Sequence, residues 1–203
     1  MSLFDRLFTK TPQDWLRKAA KEEVAFRQQR LGLILEGAAS MRRGHGSVPS
    51  NQDLQALRRR CRDSILACIN RALALDEDFA DAWYYKAHYQ GDSEWRAGSE
   101  EAMDEALACI EKAVALNPQH ADAWFCRARI LKDRGLEQQA LACFDRVIEI
   151  DPGEAEAWWW KSQLLGKAGK EEEAKSCRDK AVSLDARYGQ SSWTVPSRGL
   201  VRN

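Results

Sequence analysis

The 203-residue chain is long enough for one domain or one elongated array of small units, and too short for a large multidomain enzyme. Its 31 basic and 31 acidic side chains cancel, so no overall positive field draws the whole molecule onto nucleic acid or an anionic membrane. A 44% apolar share supports a folded core, and the 31% charged share suits a shape with much surface per residue. No stretch approaches the roughly 20 apolar residues that span a bilayer. The opening MSLFDRLFTK lacks the continuous apolar run of an export signal. A reduced, cytoplasmic protein is expected, in which the six cysteines do not build a disulfide framework.

In chain order, residues 1–10 place Leu3, Phe4, Leu7 and Phe8 on one face of a short amphipathic segment. That face could dock on another protein, on a membrane surface or on the chain's own helices. A long helix is expected from near Pro12, with Leu31-Gly32 and Leu35 inside a unit that begins near Ala25. Residues 40–52 have no apolar period and read as a mobile loop. Ile65, Ile69 and Ala72 then mark a helix that closes at Leu75-Asp76-Glu77.

From this point the sequence repeats. Ala80-Asp81-Ala82-Trp83, Ala121-Asp122-Ala123-Trp124 and Ala155-Glu156-Ala157-Trp158 are versions of one tetrapeptide, the last two tryptophans 34 residues apart. Leu116-Asn117-Pro118, Ile150-Asp151-Pro152 and Leu184-Asp185-Ala186 end the successive segments. Each is preceded by residues at helical spacing: Ala106, Ile110 and Ala113; Ala140, Phe144 and Val147; Ala174, Arg178 and Ala181. Seven extra residues around Gly91 to Gly98 lengthen the first of these segments.

The pattern resembles the tetratricopeptide repeat (TPR) family, whose unit is a 34-residue helix-turn-helix. Residues 121–154 carry Trp124, Leu131, Gly135, Ala140, Phe144 and Pro152 in the family's order. Residues 155–186 carry Trp158, Leu165, Gly169, Ala174 and Ala181, with Arg178 in place of the aromatic and Ala186 in place of the proline. The resemblance implies an all-α, right-handed TPR solenoid with three clear repeats (79–120 with the insertion, 121–154 and 155–186). A degenerate N-terminal helical pair (11–78) precedes them and a tail (187–203) follows. Trp83, Trp124 and Trp158 are expected to fill gaps between paired helices, and Asn117-Pro118 and Asp151-Pro152 to stop the second helices.

In this family the first helices line a concave surface that holds a partner peptide or helix. The matching positions are Tyr84 and His88, then Phe125, Arg129 and Lys132, then Trp159, Gln163 and Lys167. An aromatic recurs at one place in each unit (Tyr84, Phe125, Trp159), flanked by cations. That combination suits a protein or peptide partner with apolar anchors and carboxylates. The carboxylate clamp of the chaperone-binding subset is absent, because its positions hold Tyr84, His88, Cys126, Glu156 and Trp160.

Cys68, Cys109, Cys143 and Cys177 each fall three residues after the alanine-type position of a second helix, one unit apart and too far to bridge. They read as small packing residues, as do Cys61 and Cys126. His45, His88 and His120 pair with no carboxylate or cysteine at a catalytic or metal-binding spacing, and no phosphate-cradling loop is present. A non-catalytic interaction scaffold or adaptor without cofactor or metal is therefore expected. The C-terminal end offers a place for self-association if the tail does not cover it. Residues 1–76 carry a net charge of +6 and residues 77–203 a net charge of −6. Arg58-Arg59-Arg60-Cys61-Arg62 therefore opens an alternative, a nucleic-acid-associated accessory factor acting through its basic N-terminal region.

Overall fold

The computed structural model describes residues 11–42, 50–91 and 100–189. Leu3, Phe4, Leu7 and Phe8, the insertion at 92–99 and the segment after Gly189 lie outside the described residues. Within them the chain forms eight α-helices: α1 (Pro12–Arg42), α2 (Asn51–Leu75), α3 (Ala80–Gly91), α4 (Glu100–Leu116), α5 (Ala121–Asp133), α6 (Glu137–Ile150), α7 (Ala155–Lys167) and α8 (Glu171–Leu184). A 3-10 turn follows at Ala186–Gly189. No described helix is long and apolar enough to cross a membrane. The helices fall into two compact units, one of residues 1–89 and one of residues 90–199.

The first unit is built on α1 and α2. Thr11 starts α1 by a reciprocal cap: its Oγ1 accepts from the Asp14 amide at 3.2 Å, and its own amide donates to the Asp14 carboxylate at 2.9 Å. These bonds hold the Asp14 carboxyl below its ordinary range. Pro12 fits the first helical position because its missing N–H would find no partner there. Ser50 and Asp53 repeat the device at α2. Ala19, Ile65, Cys68, Ile69, Ala72 and Ala82 form the core, with Trp15 and Leu16 packed against it.

Two expectations change in this unit. α1 is the long helix expected from near Pro12, but no boundary falls near Ala25, where a repeat unit was expected to begin, and Leu31 is 58% exposed. The packing stripe lies a few turns earlier, at Trp15, Leu16 and Ala19, because those positions face Cys68 and Ile69. The expected loop at 40–52 is shorter, since α1 continues through Arg42 and the Ser50 cap starts α2 at Asn51.

In the second unit, short connections pair α5 with α6 and α7 with α8. Gly135 and Gly169 both have φ of 75°, the left-handed conformation that costs glycine nothing. Each ends its helix in the same way: the amide after the glycine bonds the carbonyl five residues back, Leu136 to Leu131 at 2.9 Å and Lys170 to Leu165 at 3.0 Å. Phe125, Ala128, Leu131, Ala140, Cys143, Phe144, Val147, Ala157 and Leu164 form one core. Phe125 meets Phe144 edge to face, ring centroids 5.6 Å apart. Burial of each ring stabilises by roughly 1.5–3 kcal/mol and the edge contact adds about 0.5–1.5 kcal/mol. On α8, Arg178 is exposed where the other second helices carry a buried Phe or Ile, so this last helix has a polar outer side.

The turns joining one pair to the next also recur. Asp76, Asn117, Asp151 and Asp185 each accept, through a side-chain oxygen, the amide two residues on at 3.0 Å. Two of these turns contain no proline, so the Asx side chain is the common stop and proline an addition to it. The repeat tryptophans act here too, in addition to their packing: Trp83 is buried, and Trp124 and Trp158 pack against the cores. Trp83, Trp124 and Trp158 donate their indole N–H to the carbonyls of Glu77, Pro118 and Pro152 at 2.7, 3.0 and 3.0 Å. A cation three residues later covers each indole: Lys86, Arg127 and Lys161, at 5.1, 5.4 and 5.8 Å from the ring.

The four repeated cysteines are buried, whereas Cys61 and Cys126 are half-buried, Cys61 packing against the core of the first unit. Burial and the nearby Glu22 and Glu23 carboxylates push the Cys61 thiol up to about 11.

Two glycine substitutions should move stability in opposite directions. An added Cβ meets nothing within 4 Å at either Gly135 or Gly32, so only backbone conformation counts. Gly135→Ala should cost about 1 kcal/mol at positive φ, and Gly32→Ala, inside α1, should gain about 0.5–1 kcal/mol in chemical denaturation. Phe125→Ala should cost about 3–5 kcal/mol in the same measurement, because it empties a site at the centre of the second unit.

Candidate functional site

Side chains at three- and four-residue spacing share a helix face. Trp159, Gln163 and Lys167 are so related on α7, while Trp160 lies between that row and the buried Ala157 and Leu164, packing against their core. Three consecutive tryptophans cannot enter one core, because successive residues are about 100° apart around a helix. Trp158 is held by the Pro152 carbonyl. Trp160 donates to the Glu156 carboxylate at 3.3 Å, and that carboxylate is 5% exposed. Trp159 is half-buried, its ring edge to face with Trp160 at 4.6 Å and tilted against Tyr188 at 6.2 Å.

Charge gathers at the same place. The Lys132 ammonium, from α5, lies 4.4 Å from the Trp160 ring centroid and also pairs with the neighbouring Asp133. Lys167 is exposed and pairs with Glu137 on α6 at 3.3 Å. Such surface pairs contribute about 0–1 kcal/mol, so either ammonium can exchange its partner at little cost. Arg129 and Gln163 are half-buried on α5 and α7.

The structure therefore divides the eight expected positions. Lys132 and Trp159 are drawn together through Trp160, and Gln163 and Lys167 share the α7 face with them. Phe125 does not join them: at 2% exposure it is a core residue under Phe144, which corrects its expected place on a binding surface. Its position matches that of Trp159 in the repeat, but the ring is small enough to turn inward among Ala128, Ala140 and Leu131. Tyr84 and His88 belong to the first unit, half-buried on α3 with ring centroids 6.5 Å apart. Beside them, Tyr89 donates to the buried Glu23 carboxylate of α1 at 3.0 Å. Burial and that carboxylate push the Tyr89 phenol far up, so it stays protonated and tethers α1 to α3.

Trp160, Glu156 and Tyr188 are site residues that the sequence reading did not select. The run of three tryptophans signalled the first, since two of them had to point out of the packing stripe. Nothing in the local pattern marked Tyr188, which arrives from beyond the last repeated helix.

The Arg58, Arg59 and Arg60 side chains are exposed on α2 and form no ion pair or hydrogen bond among the described residues. Arg62 is half-buried and lies 3.6 Å from Asp63.

Comparison with known proteins bears on the fold. A family model described as "Tetratricopeptide repeat" matches residues 90–155, and a second of the same description matches residues 155–188. Among solved structures, the crystal structure of MamA is 19% identical with a TM-score of 0.54, over 93% of this chain and 98% of that one. A second MamA crystal structure is 17% identical with a TM-score of 0.54, over 90% and 93% of the two chains. MamA 41-end from Desulfovibrio magneticus RS-1 is 19% identical with a TM-score of 0.53, over 66% and 71%. At these identities the likeness is one of fold. No curated protein matches the sequence. The two repeat models and the helical stacking agree, and the chain belongs, through residues 90–188, to the tetratricopeptide repeat family.

Proposed function

We propose that the chain is a protein-interaction scaffold that holds a partner segment on the face built by α5 and α7, and that it contributes no chemistry of its own. One observation carries this reading: Trp159 and Trp160, both half-buried, gather with Lys132 of α5 and Tyr188 at one place on the α5/α7 side. Stacked helix pairs create extended binding surfaces, and tryptophan is among the residues that dominate interface energies. A partner ring or aliphatic group would seat against Trp159. Its carboxylate would take the ammonium of Lys132 or Lys167, replacing an exchangeable intramolecular pair. Arg129 and Gln163 would bound the same surface, and Tyr84 and His88 offer the first unit a separate half-buried aromatic contact. The expected partner is thus a protein segment with an apolar anchor and nearby acidic residues.

Display selection of short peptides against the full chain tests the reading. Selected peptides should combine an aromatic or large aliphatic residue with Asp or Glu. Trp159→Ala should weaken them by about 30-fold or more, in line with a hot spot of about 2 kcal/mol, and Lys132→Glu by about tenfold. Unchanged affinity in both variants, with their melting temperatures preserved, would place the partner site elsewhere.

A further inference from the structure

The α5/α7 face has a candidate occupant within the chain itself. After α8 the backbone makes the Ala186–Gly189 turn, with the Tyr188 amide donating to the Asp185 carbonyl at 3.1 Å. Asp185 also holds the Arg187 guanidinium, through Nε at 2.8 Å. Gly189 lies close to α8, where an added Cβ would come 3.4 Å from Val182. The outcome is that Tyr188, 9% exposed, packs 6.2 Å from the Trp159 ring, so the described chain ends beside the central aromatic of the site.

We infer that residues 190–199 dock on the α5/α7 face and occupy it until a partner displaces them, an inference that rests on the partner-site reading above. The distances suffice. Trp193 lies four residue steps beyond Gly189, a reach of up to about 14 Å when extended, while packed helices lie about 8–10 Å apart. The composition also fits. Trp193 and Val195 supply two apolar side chains two positions apart. A covalently attached ligand acts at an effective concentration in the millimolar range, so weak apolar contact fills the site.

Charge makes this occupant replaceable. Residues 190–199 contain no Asp or Glu and one Arg, so they offer nothing to Lys132 or Lys167, which keep their pairs with Asp133 and Glu137. A partner bearing both an apolar anchor and carboxylates gains what the tail lacks. The tail thereby sets a threshold that favours acidic partners over merely apolar ones.

The test compares the full chain with the full chain carrying Trp193→Ser and Val195→Ser. Two readouts apply: hydrogen exchange of residues 155–167, and binding of a fluorescein-labelled peptide of residues 190–199. Exchange at the α7 site residues should rise severalfold in the double variant. The labelled peptide should bind the double variant at least tenfold more tightly than the wild-type chain, and adding Trp159→Ala should abolish that binding. Gln163→Arg serves the same purpose should Trp159→Ala impair folding.

Equal exchange in the two chains, or peptide binding indifferent to both site variants, overturns the docking. Protection that grows with protein concentration assigns the tail to a second copy and overturns it too. Display-selected peptides that need Trp159 but bind both chains equally would sink the tail proposal and leave the partner site standing. Selected peptides indifferent to Trp159 would remove the partner site itself.

Discussion

Each turn between a second helix and the next first helix is closed from both sides. An Asp or Asn side chain accepts the amide two residues on, at Asp76, Asn117, Asp151 and Asp185. The next tryptophan donates back to the carbonyl just after the Asx residue, at Glu77, Pro118 and Pro152. The turn's polar groups are thus satisfied locally, and the entry angle of the following helix is fixed. In the second unit the arrangement extends to the preceding helix: Arg127 reaches Glu111 at 3.5 Å and Lys161 reaches Asp145 at 2.6 Å. From Asn117, Trp124 and Arg127 to Asp151, Trp158 and Lys161 all three members recur at a spacing of 34 residues, so one local geometry is copied along the second unit.

That rigidity explains how α7 carries three consecutive tryptophans. With Trp158 held by its turn and Trp160 by Glu156, the register of α7 is set, and Trp159, half-buried, packs against Trp160 and Tyr188. A cation, a buried carboxylate and a ring from the following turn gather around the pair. The fold supplies the frame and the third tryptophan supplies the chemistry that distinguishes this unit from its neighbour. In the neighbour, Phe125 at the equivalent place is absorbed into the core.

The first unit solves a different problem. Its long α1 has no 34-residue pattern to fix it, and polar bonds do part of that work. Tyr89 reaches the buried Glu23, the Arg27 guanidinium pairs with the same carboxylate, and Cys61 donates weakly to the Glu22 carbonyl at 3.9 Å. A carboxylate 8% exposed is stabilised only when hydrogen-bonded and paired, so these contacts come as a set. Tyr89 to Glu23 and Cys61 to Glu22 join helices far apart in sequence, whereas Arg27 to Glu23 lies within α1, so the spacing around Leu31-Gly32 gives no sign of the first two.

Repetition was legible because it is written as spacing. The tetrapeptides at Ala80, Ala121 and Ala155 begin helices, and the Leu or Ile before Asp76, Asn117, Asp151 and Asp185 ends them. Apolar residues at three- and four-residue intervals name the buried stripe, and Ile65, Ala106, Phe144 and Ala181 all fall within it. Those properties depend on neighbours within a helix or one turn away, which the sequence by itself determines. Tertiary structure alone decided which aromatic at an equivalent position turns inward, since Phe125 found a space between small residues and Trp159 did not. It alone brought Lys132 and Tyr188 to α7, because those contacts depend on how separate helices pack and where the last turn leads, which no local spacing encodes.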